Sequence, residues 1–184
     1  LGGVSGIVIV DLLTARSWKK ISLNSKIVLV MGTILTIGGT LLIYLSDFKN
    51  LNIFESLYFC STARSSGFSI NNASEVSEAG ASIIAALMFI GDAPASTTAG
   101  IKTTTVIVMF VAIVGLITGR EPHIFKRRVS KQSIYKAYGL TVISIVFCLV
   151  SAYLITAVDQ DFSFFDSLFD CIAAFSTDGL CRGD

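Results

Sequence analysis

The sequence predicts an all-α membrane protein made of repeated helix–loop–helix units, in which short helices re-enter the membrane and one inner helix is broken. Of its 184 residues, 53% are hydrophobic and only 15% are charged, against about 25% charged in a soluble domain. Two apolar segments without charge, 27–45 and 139–158, are long enough to cross a bilayer. The sequence that follows each of them is similar, which indicates an internal repeat.

A third apolar stretch, from 79 to 118, is too long for one straight span and is interrupted at GDAPASTTAGIKTTT. Pro94 removes a backbone donor, and Gly91 and Gly100 loosen a helix at this point. We therefore expect a helix, a break rich in small residues, and a second helix from about 103 to 118. Two interpretations of the break stay open, a movable gate and a static kink for close packing.

Charge predicts the orientation of the spans. Ten of the 14 lysine and arginine residues fall in two loops, 16–26 and 119–138, whereas the other connections lean acidic. Cytoplasmic loops carry the excess of positive charge in membrane proteins, so both basic loops are expected in the cytoplasm. With both basic loops on that side, successive spans cross the membrane in alternating directions.

Several function classes are disfavoured by composition. A net charge of +1, with no basic face interleaved with aromatics, gives no reason to expect nucleic-acid binding. The four cysteines show no CxxC spacing and are expected to be small buried thiols. An enzyme is not expected, because the spans contain no histidine and no carboxylate pair on one helix face.

The repeat becomes visible when NIFESLYFCSTARSSGFS is compared with SFFDSLFDCIAAFSTDGLC. Phe54 aligns with Phe165 and Cys60 with Cys171, and the period is roughly 112 residues. The short helices, roughly 52–62 and 163–174, are too short to cross a bilayer. Irregular backbone at membrane depth is tolerated only inside protein or beside a water-filled path, so each polar loop is expected to line such a path. Backbone carbonyls and the negative ends of the short helices would favour a monovalent cation there.

These motifs resemble the Trk/Ktr/HKT potassium-transporter superfamily. STARSSGF is similar to its third filter loop, AAFSTDGL to its fourth, and GDAPASTTAGIKTTT to the break in its third inner helix. The resemblance implies repeated helix–pore loop–helix units around one cation path. It divides the chain into the end of a second inner helix (1–15), a cytoplasmic loop (16–26), the third repeat (27–118), a cytoplasmic basic loop (119–138) and the fourth repeat, truncated after its filter loop (139–184).

The resemblance also implies site residues. The ion-binding filter would comprise Ser65, Ser66, Gly67, Phe68, Thr177, Asp178, Gly179 and Leu180. The gating loop would comprise Gly91, Ala95, Ser96, Thr97, Thr98, Ala99, Gly100 and Lys102. Lys102 has a second interpretation, since a lysine near a membrane surface can extend its amine to the interface.

Three positions depart from the family pattern: Ser65 replaces threonine, Asp92 replaces glycine, and Asp178 replaces a small apolar residue. If Asp178 faces away from the path, it needs a donor, for which Arg182 and Arg64 are the candidates. If it faces the path, it would strengthen cation binding. Arg64 is otherwise expected to be a structural brace rather than an ion contact.

The resemblance implies uptake of potassium, or sodium, across the cell membrane by a homodimer in the lipid bilayer, regulated by a cytosolic nucleotide-binding subunit. No cofactor is expected besides the transported ion. The basic segment FKRRVSKQ could contact that subunit or lipid headgroups. The sequence opens in an apolar run and stops at Asp184 within an unfinished repeat, so we expect an internal fragment that is inactive alone. The alternative is a secondary transporter of another class that binds a small solute at its broken helix.

Overall fold

A computed structural model describes residues 5–15, 21–47, 51–65, 76–94, 96, 99–124, 127–159 and 162–182. Within these ranges the chain is mostly helical, as the composition predicts. The helices are α1 (Gly6–Thr14), α2 (Leu23–Ser46), α3 (Ile53–Ser65), α4 (Glu78–Phe89), α5 (Thr103–Thr118), α6 (Lys131–Val158) and α7 (Phe164–Ser176). One antiparallel hairpin pairs β1 (His123–Ile124) with β2 (Arg127–Arg128).

The two long helices, α2 and α6, have 24 and 28 residues, with mean hydropathies of 2.2 and 2.4. Each is long and apolar enough to cross a membrane. Both begin before the apolar runs of the sequence, because Ser22 and Ser130 cap their first turns by accepting hydrogen bonds from the backbone N–H groups of Ser25 and Ser133. The apolar segment indicates which residues lie in the lipid, whereas the capping residue determines where each helix begins.

The two short helices, α3 and α7, each have 13 residues and pack against the long helix that precedes them. At about 1.5 Å per residue, neither can span a hydrocarbon core of about 30 Å. Both end later than expected, and Ser65 is the last residue of α3. The prediction that the polar loop begins before Ser65 is therefore wrong, since Ser65 still belongs to the helix.

The break in the third apolar stretch separates α4 from α5, and α5 covers the range that the sequence predicts. The hairpin of β1 and β2 was not predicted. It connects α5 to α6 within the basic segment, and Gly119, in the left-handed conformation at φ 64°, ends α5 before it. A glycine favours this conformation because it has no Cβ.

The hydrophobic core lies among α2, α3, α4 and α7. It is packed closely at Gly39, where an added Cβ would lie 2.8 Å from both Cys60 Sγ and Leu87 Cδ1. In contrast, α6 leaves much of its apolar surface exposed, including Phe147 and Val158. The core therefore joins the first three helices of the third repeat to the short helix of the fourth.

Candidate functional site

The break between α4 and α5 has its two ends in contact with each other. Ile90 and Ile101 lie side by side as a parallel bridge. The backbone N–H of Ile101 donates to the carbonyl of Phe89 at 3.1 Å, and that of Thr103 donates to the carbonyl of Asp92 at 3.2 Å. These bonds satisfy backbone groups that the interruption of the helix would otherwise leave unpaired.

Glycines allow the two arms of this loop to touch. The near arm begins at Gly91 after α4, and the far arm comprises residues 99–102 before α5. A Cβ on Gly91 would lie 2.3 Å from the carbonyl oxygen of Ala99, so no side chain fits there. Gly100 has a φ of 78°, which other residues adopt rarely. Gly91 and Gly100, which are predicted to loosen the helix, thus permit close backbone contact.

The far arm of the break contacts the end of α7. The backbone N–H of Ala99 lies 3.1 Å from the carbonyl oxygen of Ser176 and 3.2 Å from Thr177 Oγ1. Ala99 belongs to the predicted gating loop and Thr177 to the predicted filter. The structure therefore brings a predicted gating residue and a predicted filter residue of different repeats into direct contact.

The segment after α7 turns sharply through two residues with positive φ, Thr177 at 61° and Gly179 at 77°. The N–H of Asp178 donates to the carbonyl of Ala173 at 3.0 Å, which closes the helix end. The side chain of Leu180 is 2% exposed and belongs to the hydrophobic core. Leu180 could therefore contribute only its backbone to a cation path.

Asp178 does not have the partner expected for it. Its side chain is buried, and among the described residues its Oδ1 has no hydrogen-bond donor. Arg182 pairs with Asp166 at 2.8 Å, and Arg64 pairs with Asp92 at 2.5 Å. The suggestion that either arginine neutralises Asp178 is therefore wrong, because both are engaged by other carboxylates.

The ion pair of Arg64 and Asp92 joins the last turn of α3 to the start of the break. Both side chains are 9% exposed. Arg64 also donates to the carbonyl of Gly32 at 3.1 Å and to Thr36 Oγ1 at 3.0 Å, both on α2. Sequence reasoning noted each residue but did not pair them. The available signal was the carboxylate itself, since a buried aspartate in an apolar segment requires a cation or donors.

The remaining predicted gating residues are only partly described. Lys102 Nζ donates to Ser96 Oγ at 3.5 Å, so Lys102 contacts the break itself. Six predicted site residues lie outside the described residues: Ser66, Gly67, Phe68, Ala95, Thr97 and Thr98. Their assignments stay predictions.

Among the described residues, no group of three or more histidine, cysteine or acidic side chains could hold a metal ion. The cysteines are free thiols, and Cys60 and Cys148 are buried as expected. Cys181 is exposed and Cys171 is only partly buried, so the expectation of burial does not hold for these two residues. Cys181 lies five residues after the last residue of α7.

Comparison with known proteins identifies the family of this arrangement. Residues 49–184 match the TrkH family, described as a cation transport protein. The chain belongs to the TrkH family. It is thus a multi-pass protein of the cell membrane, and α2 and α6 are apolar enough to serve as spans.

Individual relatives agree with this assignment. Over 99% of its length, the chain is 30% identical to the Ktr system potassium uptake protein B of Bacillus subtilis and 28% identical to the potassium/sodium uptake protein NtpJ of Enterococcus hirae. Over 71% of its length, it is 35% identical to the uncharacterized cation transporter MG322 of Mycoplasma genitalium. The chain covers 43%, 43% and 24% of these relatives, so it spans less than half the length of each.

Proposed function

We propose that this TrkH-family chain contributes the third and fourth repeats of a path for potassium uptake, with a filter at the ends of α3 and α7. The filter would comprise the backbone carbonyls around Gly67 and Gly179. The loop between α4 and α5 would act as the gate beneath it. Names of relatives that specify potassium or potassium/sodium uptake support a monovalent cation as the transported species.

The lengths of the short helices support re-entry. Each of α3 and α7 has 13 residues, too few to cross the bilayer, and each packs against a helix that is long enough. The carboxyl end of a helix carries partial negative charge, which stabilises a nearby cation. Two such ends directed at one path would attract monovalent cations without requiring a charged side chain.

The contact between Ala99 and the end of α7 carries the proposal most directly. Through the N–H of Ala99, this loop of small residues is hydrogen-bonded to Ser176 and Thr177, and in the proposed function it would obstruct a cation leaving the filter. A static kink needs no hydrogen bonds to the filter segment of another repeat. We therefore favour the gate over the kink.

The experiment is cation flux into liposomes that contain the full-length protein. We expect flux of potassium or its analogue rubidium, and growth rescue of potassium-uptake-deficient cells in low potassium. Gly179→Ser and Gly67→Ser should lower the ratio of potassium to sodium flux. Gly119→Ser is the control, because Gly119 also has positive φ but lies in the turn after α5. Absent flux from well-inserted protein, or an unchanged ratio in both filter variants, would contradict the proposal.

We propose further that the full-length protein is a homodimer and that a cytosolic nucleotide-binding subunit regulates it. The basic hairpin of β1 and β2 is a candidate contact, for the subunit or for lipid headgroups. Two repeats cannot surround an ion, so the isolated chain is expected to give no selective flux. Crosslinking of purified protein in membranes tests the dimer, and flux from the isolated chain would contradict the last expectation.

A further inference from the structure

Among the described residues, the ion pair of Arg64 and Asp92 is less exposed to solvent than the other two ion pairs. Both side chains are 9% exposed, and the residues are 28 positions apart in the sequence. The exposed pair of Arg128 and Glu121 has side chains 60% and 56% exposed. A buried pair resists separation, because removing one partner leaves an uncompensated charge away from water.

Asp92 connects three elements at the entrance of the break. Its carboxylate accepts from Arg64 on α3, and its carbonyl accepts from the N–H of Thr103 in the first turn of α5. Arg64 is itself held by acceptors on α2. The near arm of the break is therefore fixed to the short helix of the third repeat.

The far arm of the break is fixed to the fourth repeat. Ala99 donates to the carbonyl of Ser176 and to Thr177 Oγ1. Among the described residues, the far arm contacts the end of α7 through the uncharged backbone N–H of Ala99, whereas the contact of the near arm with α3 joins two opposite charges. The charged contact is therefore the stronger of the two attachments.

We propose that Arg64 and Asp92 are positioning residues that keep the break against the end of α7, and that separating them increases cation flux. The inference rests on the proposed function of the break as a gate. Loss of the charged contact would shift the population toward conformations in which Ala99 leaves Thr177. The pair fixes the near arm to α3, and Ala99 connects the far arm to the end of α7.

The primary test uses Asp92→Asn in the full-length protein, because asparagine has nearly the same shape but no charge. We expect flux in liposomes to rise roughly tenfold, the size of a moderate coupling between sites. In a background free of other cysteines, Ser96→Cys reports the position of the break. Its modification by a water-soluble thiol reagent should accelerate by a similar factor in Asp92→Asn.

Two further variants sharpen the test. The double variant Arg64→Gln with Asp92→Asn leaves no unpaired buried charge and keeps the test available if a single variant fails to insert. It should match the single Asp92→Asn variant in flux and in labelling rather than add to it. Glu55→Gln is the control, since it makes the same carboxylate-to-amide change in the first turn of α3, where Glu55 contacts the N–H of Asn52. We expect wild-type flux and labelling there.

The outcomes separate the two proposals. Wild-type flux and labelling in well-inserted Asp92→Asn would overturn the positioning role. Lower flux with unchanged labelling would also overturn it, and would indicate that the carboxylate attracts the cation directly. If the wild-type protein gave no flux, the proposed function would fail, while the labelling rates would still decide whether the pair holds the break.

Discussion

Arg182 Nε lies 2.8 Å from Asp166 Oδ1, which ties the segment after α7 back to the first turn of the same helix. The guanidinium also lies 5.4 Å from the centre of the Phe165 ring and donates to the carbonyl of Val76 at 3.1 Å. This arginine therefore connects the segment after α7 to Val76, two residues before the start of α4.

Replacing Arg182 should destabilise the protein. Arg182→Ala removes a charged hydrogen bond at a site where the arginine side chain is 12% exposed, and we expect a loss of about 2 kcal/mol in the free energy of unfolding. Denaturant unfolding of the purified protein in detergent measures it. Arg128→Ala is the control, because its exposed pair with Glu121 should contribute less than about 1 kcal/mol. Equal losses in both variants would contradict the prediction.

Gly80 is required for the contact between the end of α2 and the start of α4. Asp47, which is buried, accepts from Ser77 Oγ at 2.8 Å, and a Cβ on Gly80 would lie 2.2 Å from Asp47 Oδ2. Gly80→Ala should therefore lower the free energy of unfolding by about 1–3 kcal/mol. Gly38→Ala, with nothing within 4 Å of its added Cβ, should be neutral or stabilising in the same unfolding assay. A neutral Gly80→Ala would show that Asp47 moves aside at little cost.

Gly91→Ala should increase cation flux if the loop is the gate. The added Cβ would meet the Ala99 carbonyl, which is backbone and cannot rotate away. The displaced Ala99 would lose its bonds to the end of α7, and we expect flux in liposomes to rise roughly fivefold. Gly119→Ala, which places its Cβ in open space, should leave flux unchanged. Unchanged flux in Gly91→Ala would argue for a static kink.

Asp11 couples α1 to α2 through hydrogen bonds. Ser25 Oγ donates to Asp11 Oδ2 at 2.6 Å, and the backbone N–H of Ser22 donates to the same oxygen at 3.0 Å. Asp11→Ala removes the acceptor of both bonds, so we expect it to lower the unfolding temperature in detergent. Asp11→Asn keeps one side-chain oxygen as an acceptor and should lower it less. An unchanged unfolding temperature in Asp11→Ala would contradict the prediction.

The sequence predicts the structure best where the lipid bilayer restricts which residues and backbone conformations can occur. The apolar runs within α2 and α6 and the small residues around Gly91 could be assigned from composition, because a bilayer core excludes charge and irregular backbone. The partner of Asp92 could not, since Arg64 lies 28 positions away and only the packing of α3 beside the break brings them together. A hydropathy profile shows both residues as charged positions near apolar segments, but it does not indicate that they pair.

The end of α7 shows a second feature that the sequence does not predict, the backbone conformation of Thr177. The sequence identifies Gly179 as a residue suited to an unusual conformation, but Thr177 adopts positive φ as well, which few side chains favour. Its conformation follows from the closing of the helix, as its N–H donates to the carbonyls of Ala173 and Ala174. Local propensity does not predict such a residue, because tertiary and capping contacts decide its backbone.

The parallel bridge between Ile90 and Ile101 holds the two ends of the segment 91–100 together, so this segment, here called the branch, connects two points of the chain that are already in contact. Helices α4 and α5 would keep their register if that branch were lengthened, shortened or exchanged. The rate at which ions pass could thus be altered over evolution, or by an engineer, without redesign of the surrounding bundle. Chimaeras that carry branches from other relatives on this scaffold should insert normally and differ chiefly in conductance.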